Sequence, residues 1–329
     1  PYILGEIGFI STSGMAALLD EVIENAGISG ALTWSIRYHH RKGGFYWHSE
    51  PVGHGIYKAY HWPGFSSGDA YDEKNFLKLW RQKAYEIQGK PVPPVPTPQP
   101  PVLFPIAGPH AINWQGSAGA AGYHVQRSAN SKGPWQTVGY HVSDAEIQNF
   151  ALFHDSYAEL QQTYYYRVLA VNESGQSAPS NIVGPVRFDT QAVVDNMRNI
   201  GTLYSSRDVE VETGQDRNYK EIMYRLSGKR GSEVIYHVPG RFENIAVFAF
   251  EHQSKNQLQL YGSRDGDVFY PLTANHNIYT QGERIYDYVN PKHYHHAGSD
   301  SWKFIKISFL GKAFVGRVEI EYTATELEP

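Results

Sequence analysis

The chain has 329 residues, a formal charge of −4, no cysteine, and 24 Tyr, 15 Phe and 7 Trp. Disulfides and thiolate metal sites are thereby excluded, and no basic footprint for a nucleic-acid partner exists. No apolar run approaches the about 18 residues of a membrane-spanning helix, and the length exceeds one typical domain.

The chain opens on a short apolar run, Tyr2 to Leu4, followed by Gly5 and Glu6. This reads as a buried strand that ends on a carboxylate, either an ordinary solvated strand end or a catalytic group. Ser11 to Gly14 forms an N-cap region, and Met15, Leu18, Leu19, Val22, Ile23 and Ala26 recur at helical spacing. Gly27 is the expected left-handed stop. A second strand, Gly30 to Ile36, delivers Trp34 to its carboxyl end.

Glu6 in Gly-Glu-Ile-Gly-Phe and Trp34 in Leu-Thr-Trp-Ser resemble the last two barrel strands of a clan A glycoside hydrolase. The resemblance is strongest to the endo-β-mannanases and their relatives in family 5. It implies that residues 1–89 are the last two units of a (β/α)8 TIM barrel, with Glu6 the nucleophile of a retaining mechanism and Trp34 the floor under the sugar. The chemistry is consistent: a carboxylate attacks the anomeric carbon while a flat ring holds the sugar face. No cofactor and no metal are implied.

A retaining glycosidase needs a second carboxyl about 5 to 5.5 Å from the first, and the family carries it on strand four within an Asn-Glu pair. Nothing here precedes strand seven. The sequence starts at Pro1 without a signal peptide, so it is expected to be the C-terminal part of a longer protein and inactive alone. Glu50 is the one candidate for a replacement acid/base. Residues 1–89, stripped of barrel neighbours over Ile3, Leu4 and the first helix, are expected to be the least stable part.

The loop after Trp34 is rich in aromatic and polar residues. It reads as a cleft rim in which His39, His40 and Trp47 meet sugar hydroxyls and faces, or as a loop packed down by Tyr46 and Trp47. Adjacent His39 and His40 lack the spacing of a closed metal site. Tyr57 to Phe65 either extends the cleft or covers the barrel side, and Asp72 to Gly89 reads as a helix with Phe76, Trp80, Ala84 and Ile87 on one face.

Residues 90–101 are a Pro-rich linker, with seven prolines between Pro91 and Pro101. A semi-rigid extended rod between domains is expected. Residues 102–187 resemble a fibronectin type III module, with Trp114 on an early strand, Gly122 to Ser128 as the next, and Thr163 to Asn172 alternating. Tyr164 is then the tyrosine-corner residue, Tyr166, Val168 and Ala170 point inward, and Asn172 to Ser174 is a polar turn rather than a glycosylated sequon.

Residues 188–329 are a run of short strands, resembling the C-terminal jelly-roll domains of bacterial mannanases. In the last strand Val318, Ile320 and Tyr322 should face the core, with Arg317, Glu319 and Glu321 outside. His293 to His296 reads as a flexible polar loop rather than a metal site, and the domain as a structural sandwich. Two functions follow. One is a secreted, periplasmic or cell-surface bacterial endo-β-glycosidase acting as a monomer on a polysaccharide, most like β-mannan. The other is a non-catalytic fragment that binds polysaccharide or only spaces the enzyme.

Overall fold

The computed structural model describes residues 1–8, 10–46, 49–52, 55–58, 60–65, 72–147, 149–213, 219, 222, 224–251, 256–278, 289–298 and 301–324, and only the backbone of 49–58. Among these the protein is mostly β, with two helices, and neither is long and apolar enough to cross a membrane. It falls into two compact units. One comprises Pro1–Pro105, Asn113–Leu152 and Tyr165–Gly184; the other comprises Ile106–Ile112, Phe153–Tyr164 and Pro185–Pro329.

The first unit opens with β1 (Tyr2–Ile7), α1 (Thr12–Glu24) and β2 (Ile28–Thr33), and the two strands pair in parallel with Leu4 opposite Ala31 and Ile7 opposite Thr33. Ser11 caps α1 by accepting a hydrogen bond from Gly14 N at 3.1 Å. The helix stops two residues before the expected glycine, because Asn25 ends it in an extended conformation and its Oδ1 accepts from Gly27 N at 2.9 Å. Short β3 (Ile36–Arg37), the hairpin β4 (Ser49–Val52) and β5 (Gly55–Lys58), and β6 (Tyr60–His61) follow, with β3 and β6 parallel. Then comes α2 (Glu73–Glu86), capped by Asp72 and followed by Gly89 at φ +61°. The expected barrel portion thus amounts to one parallel pair, its connecting helix and α2; the described residues form no barrel.

Contrary to expectation, the apolar face of α1 is covered. Met15, Leu19, Tyr60, Phe76 and Leu77 form one buried cluster, with the rings of Tyr60 and Phe76 stacked at 4.5 Å. Burial of each such side chain stabilises by about 1.5–3 kcal/mol. Tyr60 and His61 therefore belong to the core, not to a cleft rim. What stays open is the strand pair: Tyr2, Ile3 and Leu32 are exposed, while Leu4 is half-buried. Buried Glu73 locks β6 to α2, since Oε1 accepts from His61 N at 2.5 Å and Oε2 from Phe65 N at 3.0 Å. Glu73→Ala strands both donors in the interior and should destabilise the protein by about 2–3 kcal/mol in urea unfolding.

The linker is no free rod. Arg81 Nη2 donates to Pro93 O at 2.5 Å, Val95 is buried, Asn172 Nδ2 donates to Pro96 O at 2.7 Å, and Ser174 Oγ donates to Val95 O. Proline removes donors but leaves every carbonyl free to accept, and the 172–175 turn supplies the partners.

Next come β7 (Val102–Leu103), β8 (Trp114–Gln115), β9 (Gly122–Ser128), β10 (Gln136–Val142), β11 (Thr163–Asn172), β12 (Gly175–Gln176) and β13 (Val183–Arg187). β7 pairs with β8, while β10, β9, β11 and β12 form a sheet that β13 joins at β11. Trp114, Tyr123, Val125, Tyr166, Val168 and Ala170 are fully buried, as the alternation requires. Tyr164 makes the expected corner, its hydroxyl accepting from Glu159 N at 3.2 Å.

The second unit is dominated by β14 (Gln191–Asp195), β15 (Ser205–Thr213), β16 (Tyr224–His237), β17 (Arg241–Phe250), β18 (Leu258–Ser263), β19 (Tyr270–Pro271), β20 (Asn275–Ile278), β21 (Lys292–Ala297), β22 (Phe304–Phe309) and β23 (Ala313–Thr323). β16 turns the corner between two layers: Leu226 to Gly228 pair with β23, and Glu233 to His237 with β22. Gly231, at φ +91°, sits at the bend. Val234, Tyr236, Leu260, Ile305 and Ile307 from one layer share a core with Ile245, Val247, Val318 and Ile320 from the other.

Two expectations fail here. His293 to His296 lie in β21, not a flexible loop, because Ala246 and Phe248 of β17 pair with His295 and His293 and put Tyr294 in the core. Arg317 faces away from the core but is only 2 % exposed, bonded by Glu319 at 2.6 Å and by Asn196.

Asp195 is buried, with Oδ1 accepting from Met197 N at 2.8 Å and Oδ2 from the Tyr236 hydroxyl at 3.1 Å. Burial raises its pKa above 3.8 despite these two bonds. The protonated form is favoured by folding, so its contribution is fully present below about pH 3.8 and is lost as pH rises through the higher folded value. Asp195→Asn should remove this part of the pH dependence of unfolding and raise the melting temperature at pH 7 relative to pH 4, read by calorimetry.

Candidate functional site

Parallel pairing brings the carboxyl ends of β1 and β2 together, and Trp34 N donates to Ile7 O at 2.9 Å. A side chain at Gly8 would fall 2.6 Å from the Trp34 carbonyl, so only glycine permits this closeness. Glu6 is exposed one residue before the strand ends, and Trp34, 38 % exposed, follows β2 directly. The Arg37 guanidinium lies 5.7 Å from the Trp34 ring centroid and 5.7 Å from that of Tyr46, which stacks on Tyr38 at 5.5 Å. A cation between two rings holds both in place.

Around this end of β2, Thr33 Oγ1, Ser35 Oγ and Arg37 Nε are buried without a hydrogen-bond partner among the described residues. Such groups are few in native structures. Glu73 is engaged by β6 and the following turn.

The other expected site residues are placed differently. His39 turns away from Trp34: its ring stacks on Phe45 at 4.1 Å and its Nε2 lies 3.0 Å from Asp144 Oδ2, the side chains being 9 % and 0 % exposed. A Cβ at Gly116 would come within 2.3 Å of both groups. His40 stays half-buried in the turn, its Nδ1 accepting from Lys42 N at 3.0 Å, with Gly43 and Gly44 at positive φ. Trp47 lies outside the described residues, and Glu50 is described only in its backbone. Arg37 and Tyr38 join Trp34 with no signal of their own in the sequence, and Tyr46, expected to pack the loop down, lies beside them. Asp144 carries no sequence signal, since its contact with His39 spans a hundred residues.

His39→Ala would take away one of the polar neighbours of the buried Asp144 carboxylate and leave it with the Tyr123 hydroxyl. It should lower stability by about 2 kcal/mol or more in chemical unfolding while leaving polysaccharide affinity unchanged.

No family model matches the chain, and no curated protein matches it. Solved structures do match at a distance. A family 6 carbohydrate-binding module (CBM6) from Clostridium stercorarium, in complex with cellobiose, shares 12 % identity over 41 % of this chain and 94 % of its own, with a TM-score of 0.25. A β-1,3-glucan-binding CBM6 from Bacillus halodurans shares 10 % identity over 41 % of this chain and 96 % of its own, with a TM-score of 0.24. The FN1–FN3 domains of chicken CNTN1 share 14 % identity over 66 % of this chain and 64 % of theirs, with a TM-score of 0.22.

Proposed function

We propose that the chain is a polysaccharide-binding, non-catalytic part of an exported carbohydrate-active protein. The observation that carries this reading is the half-open Trp34 ring, backed by Arg37, with exposed Glu6 near the end of the parallel strand that pairs with its own. A pyranose offers a ring an apolar C–H face and offers its surroundings hydroxyls that donate and accept. Exposed Glu6 is suited to those hydroxyls, since a carboxylate accepts from two at once. A neutral plant-type chain such as β-mannan fits this set.

A second reading is favoured by the adjacency of Glu6 and Trp34. In a longer chain whose further strands complete a barrel, Glu6 would attack the anomeric carbon and Trp34 would hold the distorted sugar. That role requires a partner carboxyl about 5 to 5.5 Å away to protonate the leaving oxygen. Glu73 is unsuited, being committed to backbone donors.

Trp34→Ala should weaken binding of soluble β-mannan by about tenfold, as judged by retardation in polysaccharide-containing gels. Glu6→Gln should change it by no more than about threefold, since an exposed carboxylate contributes little to binding a neutral sugar. Unaltered retardation of the Trp34 variant would refute the site, and release of reducing sugar by the wild-type chain would favour the catalytic reading.

A further inference from the structure

In the layer formed by β19, β18, β22, the end of β16 and the start of β15, one set of alternating positions is already committed. Leu258, Leu260, Ile305, Ile307, Val234 and Tyr236 fill the core. The intervening positions face away from it, and on a solvated sheet they should be polar. The register places Tyr261 opposite Lys306, and Phe304 opposite both Ser263 and His237. Tyr204, 63 % exposed, packs edge-on against Phe304 at 5.0 Å, and His237 lies 5.2 Å from the same ring. Lys306 Nζ sits 4.9 Å from the Tyr261 ring centroid and 4.4 Å from that of Phe269.

The opposite layer shows what a closed outer face looks like: there Phe248, Phe250 and Arg317 are all buried. On the aromatic face Tyr204 and His237 are exposed and Phe304 is half-buried among the described residues. Isolated exposed rings are ordinary, whereas a contiguous group of them fixed by strand register marks an interaction surface.

The charges on this face select the ligand. Glu233 Oε1 lies 3.5 Å from Lys306 Nζ and accepts from Ser308 Oγ at 3.2 Å, while its Oε2 lies 3.1 Å from Arg207 Nη2. Arg207 also gives Nε and Nη2 to Gly231 O at 3.3 and 3.2 Å. Lys306 is thus held inside, its side chain only 17 % exposed, and Arg207, although 62 % exposed, spends its guanidinium on Glu233 and the Gly231 carbonyl. A polyanion would need cations whose charge is not already matched by such partners. A neutral sugar needs flat apolar rings with polar groups between them, which is the composition found.

We infer that this outer sheet face, centred on Tyr204, Phe304 and His237, is a second binding surface for a neutral polysaccharide chain. It shares a ligand class with the reading at Trp34 but no residue, so the two stand or fall separately.

The test uses the full 329-residue chain in gels containing soluble galactomannan, mixed-linkage β-glucan or polygalacturonate. Tyr204→Ala, at an exposed position, should reduce retardation by at least one neutral glycan about fivefold or more, while Trp34→Ala leaves that contribution intact. A Tyr204→Phe variant should retain most of the affinity, because the ring rather than the hydroxyl makes the platform. Phe304→Leu, with its fold checked by calorimetry, should weaken binding in the same direction. Retardation of Tyr204→Ala within twofold of wild type in both neutral glycans would overturn the surface. Preference for polygalacturonate, or loss of binding on raising salt from 50 to about 500 mM, would overturn the neutral ligand.

Discussion

A strand has two faces, and only one of them can be given to the core it helps to build. In this molecule the constraint is met in different ways. In the corner-turning sandwich, β16 serves both layers, and the inward residues of each close around one apolar centre. The outward residues of one layer are sealed by rings and by the Arg317–Glu319 pair. Those of the other layer carry Tyr204 and His237 into solvent beside half-buried Phe304. In the first unit α1 and α2 close one side of the β1–β2 pair, and Tyr2, Ile3, Leu32 and Trp34 remain on view. Exposed aromatic surface is therefore a property of strand faces left without a second layer.

The same constraint explains which elements were legible in the sequence. Gly122–Ser128 and Thr163–Asn172 alternate cleanly, so their bounds stand in the sequence itself, and the Tyr164 corner follows from its place near the start of the second strand. Both helices carried caps and apolar spacing; α1 ended early because a local Asn25 turn competed with the glycine stop. β21 was missed because three histidines in four residues look polar, and only pairing with β17 reveals Tyr294 as a core residue. Arg317 was read as solvated because strand parity says which way a side chain points, not what lies beyond it.

The candidate site was legible in part. Glu6 and Trp34 lie at neighbouring strand ends because parallel pairing of β1 and β2 enforces it. His39 illustrates the limit. Its composition suits a sugar-binding rim, yet a long-range contact with Asp144 turns it into the buried tie between a loop and the strand-rich segment that follows. The linker behaves similarly: proline content sets an extended backbone, but the turn at Asn172 to Gly175 decides whether that backbone stands free. Contacts that span tens of residues leave no trace in local composition, and they are what converts a plausible cleft residue into a packing residue.

Binding without cleavage is tested most directly by calorimetric titration of the intact chain with soluble β-mannan at two temperatures. Expected is a saturable heat with a negative heat-capacity change, as rings and sugar faces leave water, and a return to baseline after each injection. No saturable heat, or a sustained heat accompanied by new reducing ends, would contradict it.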